Sequence, residues 1–229
     1  MIRINNSFLE KYIMFKLDKI DNNFTKEDLN KIEDIFIDYE ETSNFNFDEL
    51  LNFSNLKTIT LRNFSIINSN YYTLIKLNNL KSITFDNCSF INSSINAVLN
   101  IEELSLINCS INDYNFIYIM DKLKKLSIIN GIVEINKLNK LKNLEYLQLS
   151  NSNIIDHNRN IMLYKINTLY IDNTNIIDLS IINNITNLKV LSIDDKQYKD
   201  NKEILKNKNI TILDSYGDIL KERVGEENG

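Results

Sequence analysis

Large aliphatic or phenylalanine residues recur along this chain in a fixed four-position pattern. The segments starting at Leu56 (LKTITLRNFSI), Leu80 (LKSITFDNCSF), Ile101 (IEELSLINCSI), Leu123 (LKKLSIINGIV), Leu144 (LEYLQLSNSNI) and Ile166 (INTLYIDNTNI) carry them at relative positions 0, 3, 5 and 10. A degenerate copy precedes these (Ile32, Ile35, Ile37), and two follow (Leu188, Leu191, Ile193; then Ile210, Leu213). The nine starts, at 32, 56, 80, 101, 123, 144, 166, 188 and 210, are separated by 21 to 24 residues. Alternation from position 2 to position 6 predicts a short strand whose positions 3 and 5 point to one side and 2, 4 and 6 to the other. No single copy can bury its apolar side alone, so the copies are expected to stack in parallel around one continuous core.

A stack of this kind needs polar ends. Residues 1–31 are the expected helical N-terminal cap, 32–214 the repeat array of about nine copies, and 215–229 a frayed C-terminal tail ending in VGEENG. Within the cap, Thr25 and Asp28 have capping-box spacing ahead of Leu29 and Ile32. Short helices are predicted at Asp48–Phe53, Tyr71–Leu77 and Lys199–Lys206, with tighter connections in the later repeats.

The region from about Asp28 to Asp214 resembles the leucine-rich repeat family, and most closely its 22-residue type in SDS22-like proteins and bacterial internalins. The stretch IIDLSIINNITNLKVLSI carries the likeness best, with Ile176, Leu179, Ile182, Ile185, Leu188, Leu191 and Ile193 at that type's core spacing. The resemblance implies an α/β solenoid: a curved, right-handed superhelix with a parallel sheet on its concave side and short helices or 3₁₀ turns on its convex side, acting as a binding platform. The chain departs from the family at the usual buried asparagine, which is replaced by Phe64, Cys88, Cys109, Gly131, Ser152 and Thr174. Asparagine stands one residue earlier, at 63, 87, 108, 130, 151 and 173. Two arrangements are open: Cys, Ser and Thr substitute at the buried position, or a displaced asparagine ladder forms with a left-handed turn at each strand exit.

Composition narrows the chemistry. Asn and Ile make up about a third of the 229 residues; proline and tryptophan are missing, and four glycines are scattered. That excludes collagen-like and loop-rich folds and leaves no glycine-rich phosphate loop. The first twenty residues alternate charged and apolar side chains, unlike a secretory leader, and no 18-residue stretch is free of charge, so a cytoplasmic protein is expected. A net charge of −5 without basic blocks disfavours nucleic acid or anionic membrane as partners. The single histidine, His157, reads as a solvated loop residue, and Cys88 and Cys109 read as stacked buried thiols. Asp194–Asp195 reads as solvated surface, and no serine has a triad spacing. No catalytic residue, cofactor or metal is expected.

The register also assigns the outward columns of the sheet. Seven acids stand there (34, 38, 86, 103, 172, 194, 195) against two bases, Arg62 and Lys125, an excess equal to the whole chain's −5. Tyr39 and the six asparagines occupy the next column. Ile107 and Ile129 are expected side by side with Tyr146 and Tyr170 close by, an apolar centre rimmed by charge. The expected partner surface therefore comprises Phe36, Asp38, Arg62, Asp86, Glu103, Ile107, Lys125, Ile129, Tyr146, Tyr170, Asp172 and Asp194. The function this points to is a monomeric, non-catalytic scaffold that binds a basic protein through an acidic concave face, in the manner of an inhibitor or immunity protein. The resemblance also allows a phosphatase-regulator-like adaptor or a secreted, internalin-like adhesin.

Overall fold

Local signals in the first thirty residues build two short helices, and in a computed structural model of the chain these stand at the head of a repeat array. The structure describes residues 1–38, 46–91, 98–155 and 162–221. They form two compact units, Met1–Met120 and Asp121–Gly229.

In the first unit, helix α1 (Ser7–Leu17) buries Leu9 and Ile13 and is capped by Asn6, whose side chain accepts from the N–H groups of Phe8 and Leu9. Helix α2 (Lys26–Asn30) starts at Thr25 with both halves of the expected capping box, and Leu29 and Ile32 are buried behind it. Asp28 serves the box and also pairs with Lys19 at 2.7 Å; that cation and the Thr25 donors hold its carboxyl well below the usual range.

Strands β1 (Asp34–Asp38) and β2 (Thr58–Arg62) follow, then a two-residue strand β3 (Ser65–Ile66), helix α3 (Asn68–Ile75), β4 (Ser82–Asp86), β5 (Ser89–Phe90) and β6 (Glu103–Ile107). β1, β2, β4 and β6 are parallel neighbours in that order, aligned Asp34↔Thr58↔Ser82↔Glu103, which is the position 2 column of the sequence register. Burial alternates as predicted: Ile59, Leu61, Ile83, Phe85, Leu104 and Leu106 are buried, while their alternate neighbours are half-exposed. β3 and β5 pair separately, so a second small sheet follows the strand exits. Aromatic residues thicken the core here, with Phe90 5.1 Å from Phe85 and 5.8 Å from Phe116 between ring centroids.

The second unit repeats the plan with β7 (Lys125–Ile129), β8 (Ile132–Glu134), β9 (Tyr146–Gln148), β10 (Asn153–Ile155), β11 (Thr168–Tyr170) and β12 (Val190–Ser192). Helices α4 (Asp195–Asp200) and α5 (Lys202–Lys206), strand β13 (Thr211–Leu213) and strand β14 (Ile219–Lys221) complete it. β7, β9, β11, β12 and β13 are parallel neighbours, and β8 pairs with β10. Return segments here are 3₁₀ turns at Ile135–Lys140 and Leu179–Asn184, as the shorter spacing implies. All seven residues of the Ile176–Ile193 core spacing are buried.

The short helix expected at Asp48–Phe53 is present as a 3₁₀ turn, Phe47–Asn52. Two details differ from expectation. The last repeat starts one residue earlier than the apolar pattern suggests: Ile212 aligns with Leu191 and is fully buried, while Leu213 aligns with Ser192 on the outward side. Leu213 mimics the pattern because it follows Ile212, but only one of two adjacent strand residues can face the core. Past Asp214 the chain does not simply fray; it turns at Gly217 (φ 91°) and returns as β14, antiparallel to β13. The VGEENG end, Tyr39 and His157 lie outside the described residues.

Buried Glu49, in that 3₁₀ turn, ties α1 to the array by accepting from the N–H of Asn5 (2.9 Å) and of Asn6 (3.2 Å). Glu49→Ala leaves both donors without a partner and should cost about 1–3 kcal/mol. Hydrogen exchange should show the loss as faster exchange along α1 before the strands respond.

Candidate interaction surface

Six of the repeats leave their strands through the same two positions, and these settle how outward side chains are held. The asparagines at 63, 87, 108, 130, 151 and 173 all adopt positive φ, between 52° and 63°. Asparagine tolerates this left-handed conformation where a branched residue would clash. The N–H groups of Asn63, Asn87 and Asn151 donate to the position 6 carbonyls of Asp86, Ile107 and Asp172. Side chains add a partial ladder, Asn87 to Asn63 (2.6 Å) and Asn63 to Asp38 (2.7 Å).

One residue later, the substituted position supplies a second, buried ladder. Cys88 donates its thiol to the Leu61 carbonyl and Cys109 to that of Phe85, both at 3.3 Å; the Ser152 hydroxyl donates to Ile128 at 2.9 Å. Where Gly131 has no side chain, its N–H donates to the Ser152 hydroxyl instead. The two arrangements left open by the sequence therefore coexist: asparagine makes the turn, and thiol or hydroxyl makes the buried bond. The neighbouring Cys109 thiol and burial push the Cys88 thiol up, consistent with a structural donor rather than a nucleophile.

The outward columns then divide by unit. In the first, Arg62 bridges two acids across three strands, donating Nε to Asp86 at 2.7 Å and Nη1 to Asp38 at 3.3 Å. Its guanidinium lies 5.5 Å from the centroid of Phe36, which is 43% exposed. Asp34 is taken by the cap: Lys16 Nζ at 2.7 Å and the Tyr12 hydroxyl at 2.8 Å, which together hold its carboxyl below the usual range. Glu103 and Ile107 stand half-buried on β6.

In the second unit Lys125 is exposed and Ile129 half-buried on β7. Tyr146 and Tyr170 lie on adjacent strands with ring centroids 5.6 Å apart and planes tilted by 38°. A chain of polar side chains runs beside them. Ser127 and Tyr146 donate to Gln148, and Ser150 and Ser192 donate to Asp172 at 2.8 and 3.2 Å. Asp172, although an outward position, is only 5% exposed. Asp194 caps α4, accepting from the N–H groups of Lys196 and Gln197, and its other oxygen accepts from Asn173. The sequence assigns both carboxylates to the face but does not show their depth or their partners.

Burial, then the charges of Tyr170 and Asp172, push the Tyr146 phenol up to about 12. The folded state thus holds this proton more tightly than the unfolded chain, where tyrosine titrates near about 10. Stability contributed here is complete below that value and lost as pH rises through the folded one. Burial raises Tyr71 as well, so ultraviolet titration should show several late-ionising tyrosines, with one fewer in Tyr146→Phe.

Among the described residues no group of three or more His, Cys, Asp or Glu is placed to hold a metal ion, and no helix is long and apolar enough to cross a membrane. No family model and no curated protein matches the sequence. Similar solved structures exist: internalin C2 from Listeria monocytogenes is 18% identical and aligns over 93% of this chain and 89% of its own, with a TM-score of 0.51. A second Listeria monocytogenes internalin (inlF), also 18% identical, aligns over 90% of this chain and 88% of its own with a TM-score of 0.32. With the registered parallel strands, the buried ladder and the 3₁₀ returns already in place, the internalin C2 likeness makes the chain's fold that of a leucine-rich repeat solenoid.

Proposed function

We propose that the chain is a non-catalytic scaffold that binds a basic protein through the outward face of its strands, in the role of a masking or inhibitory partner. The observation that carries this reading is the Tyr146–Tyr170 pair, an aromatic surface left on a sheet face beside a buried carboxylate. Aromatic anchors surrounded by polar side chains are the usual energetic centre of a protein interface. The strands supply a rigid base for it, since every outward residue alternates with one locked in the core.

A cytoplasmic setting fits the same reading. Cys88 and Cys109 serve as hydrogen-bond donors, a role that needs reduced thiols.

The test is an affinity capture from native lysate at low and high salt, comparing the parent with an Ile107→Asp, Tyr146→Ala double variant. The parent should retain a basic protein that high salt releases, and the variant, folded by circular dichroism, should retain none. Equal capture by both chains would remove the outward face from consideration.

A further inference from the structure

The acids on the two open faces differ in how they are satisfied, and the difference bears on where a cation would be held. In the first unit they are matched within the chain: Asp34 by Lys16, and Asp38 with Asp86 by Arg62. Their field is largely spent locally. In the second unit, exposed Asp195 lies 3.8 Å from Lys199, whereas Asp172 accepts from two serine hydroxyls and Asp194 from three backbone N–H groups. Among the described residues no cation is paired with Asp172 or Asp194. Neutral donors of this kind fix a carboxylate in place without cancelling its charge.

The aromatic pair sits in the same place. Tyr170 and Asp172 are alternate residues leaving β11 on the outward side, and Tyr146 is close enough for the Asp172 charge to act on its phenol. Ring faces and a deep carboxylate together select for one cationic group over another. A guanidinium is planar, weakly hydrated and stacks on aromatic rings, whereas an ammonium is compact and strongly hydrated. Asp172 is 5% exposed, so its charge acts through little water, and half-buried Asp194 is left for direct contact.

We propose that the open face of the second unit is the docking surface for an arginine-bearing segment of the basic protein partner, with the guanidinium laid against the Tyr146–Tyr170 rings and facing Asp172 and Asp194. This rests on the protein-binding reading above and deepens it by choosing the unit, the anchor and the cationic group. The first unit, by contrast, presents a charge cluster already closed on Arg62.

The test uses the full chain, isotope-labelled for amide spectra, titrated with an arginine–glycine–serine peptide. Matched peptides carry lysine or glutamate in place of arginine. Amide shifts should cluster at Tyr170–Asn173 and Val190–Asp194, be largest with arginine, shrink with salt and vanish with glutamate. Asp172→Asn with Asp194→Asn should weaken arginine-peptide binding about tenfold or more. Asparagine retains an oxygen for the helix cap and for the serine hydroxyls, and Asp194→Asn alone, on a half-buried side chain, should give part of the same loss. Shifts centred on Asp38 and Asp86, equal binding of the lysine peptide, no binding of the arginine peptide, or unchanged affinity in these variants would each overturn the proposal. The general binding reading stands or falls separately, on whether the whole chain captures a protein that the Ile107→Asp, Tyr146→Ala variant loses.

Discussion

Aspartate at Ile128 should abolish the folded state, while aspartate at the adjacent Ile129 should leave stability within about 1 kcal/mol of the parent. Ile128 is fully buried at position 5 of β7, whereas Ile129 is half-buried on the outward side. Removing a large buried aliphatic side chain costs about 2–5 kcal/mol, and an unpaired carboxylate in its place adds several more. That sum is comparable to the roughly 5–15 kcal/mol that holds a typical domain together. Urea unfolding followed by circular dichroism reads both variants. A larger loss at Ile129 than at Ile128 would mean that the strand register is off by one, because such a slip exchanges the faces of every strand residue.

The second large effect lies at the strand exits. Exchanging the six left-handed asparagines for alanine should cost about 1 kcal/mol at each site, because a Cβ without a local hydrogen-bonding group makes that conformation unfavourable. The combined variant should therefore be unfolded or close to it. Glycine at the same six sites adopts positive φ freely and should retain most of the stability. The deficit that remains in the glycine series reports the side-chain bonds alone, among them the one that joins Asn63 and Asn87. Those two sites should also be non-additive, whereas well-separated pairs should add. Midpoints in urea for single, paired and complete exchanges decide it; equal loss in the alanine and glycine series would show that the conformation is not what asparagine supplies.

Most of the architecture is legible in the sequence because it repeats. A four-position apolar pattern fixes strand, register and core at once, and it places every buried residue of β2, β4 and β6 on the correct side. The asparagine and thiol–hydroxyl columns are visible for the same reason. Leu213 shows where this fails: with two apolar residues in a row, periodicity alone does not choose which faces inward, and the lateral partner Leu191 does. The charged surface is harder. A sum over columns makes the face uniformly acidic, but energies depend on neighbours. Asp38, Arg62 and Asp86 share one column and pair across it, while Asp34 finds its cation, Lys16, on α1, outside the repeat pattern. Nor does the pattern announce that Asp172 is deep and Asp194 caps a helix, since both facts depend on small neighbours, Ser150 and Ser192, and on where α4 begins.

The bond from the Tyr12 hydroxyl to the Asp34 carbonyl, at 3.1 Å, has a consequence beyond bracing α1. The Glu33 carbonyl on one side of β1 is used by Lys57 and Thr58, so the next carbonyl points away from the sheet, where no strand follows among the described residues. Such a rim is a template on which a foreign strand can assemble, the first step toward fibrils. A phenol on one acceptor and a lysine on the adjacent carboxylate occupy that rim with groups that cannot propagate a ladder. The helical cap thus acts as a guard for solubility, and a chain shortened by its first seventeen residues would be expected to multiply end to end rather than merely loosen.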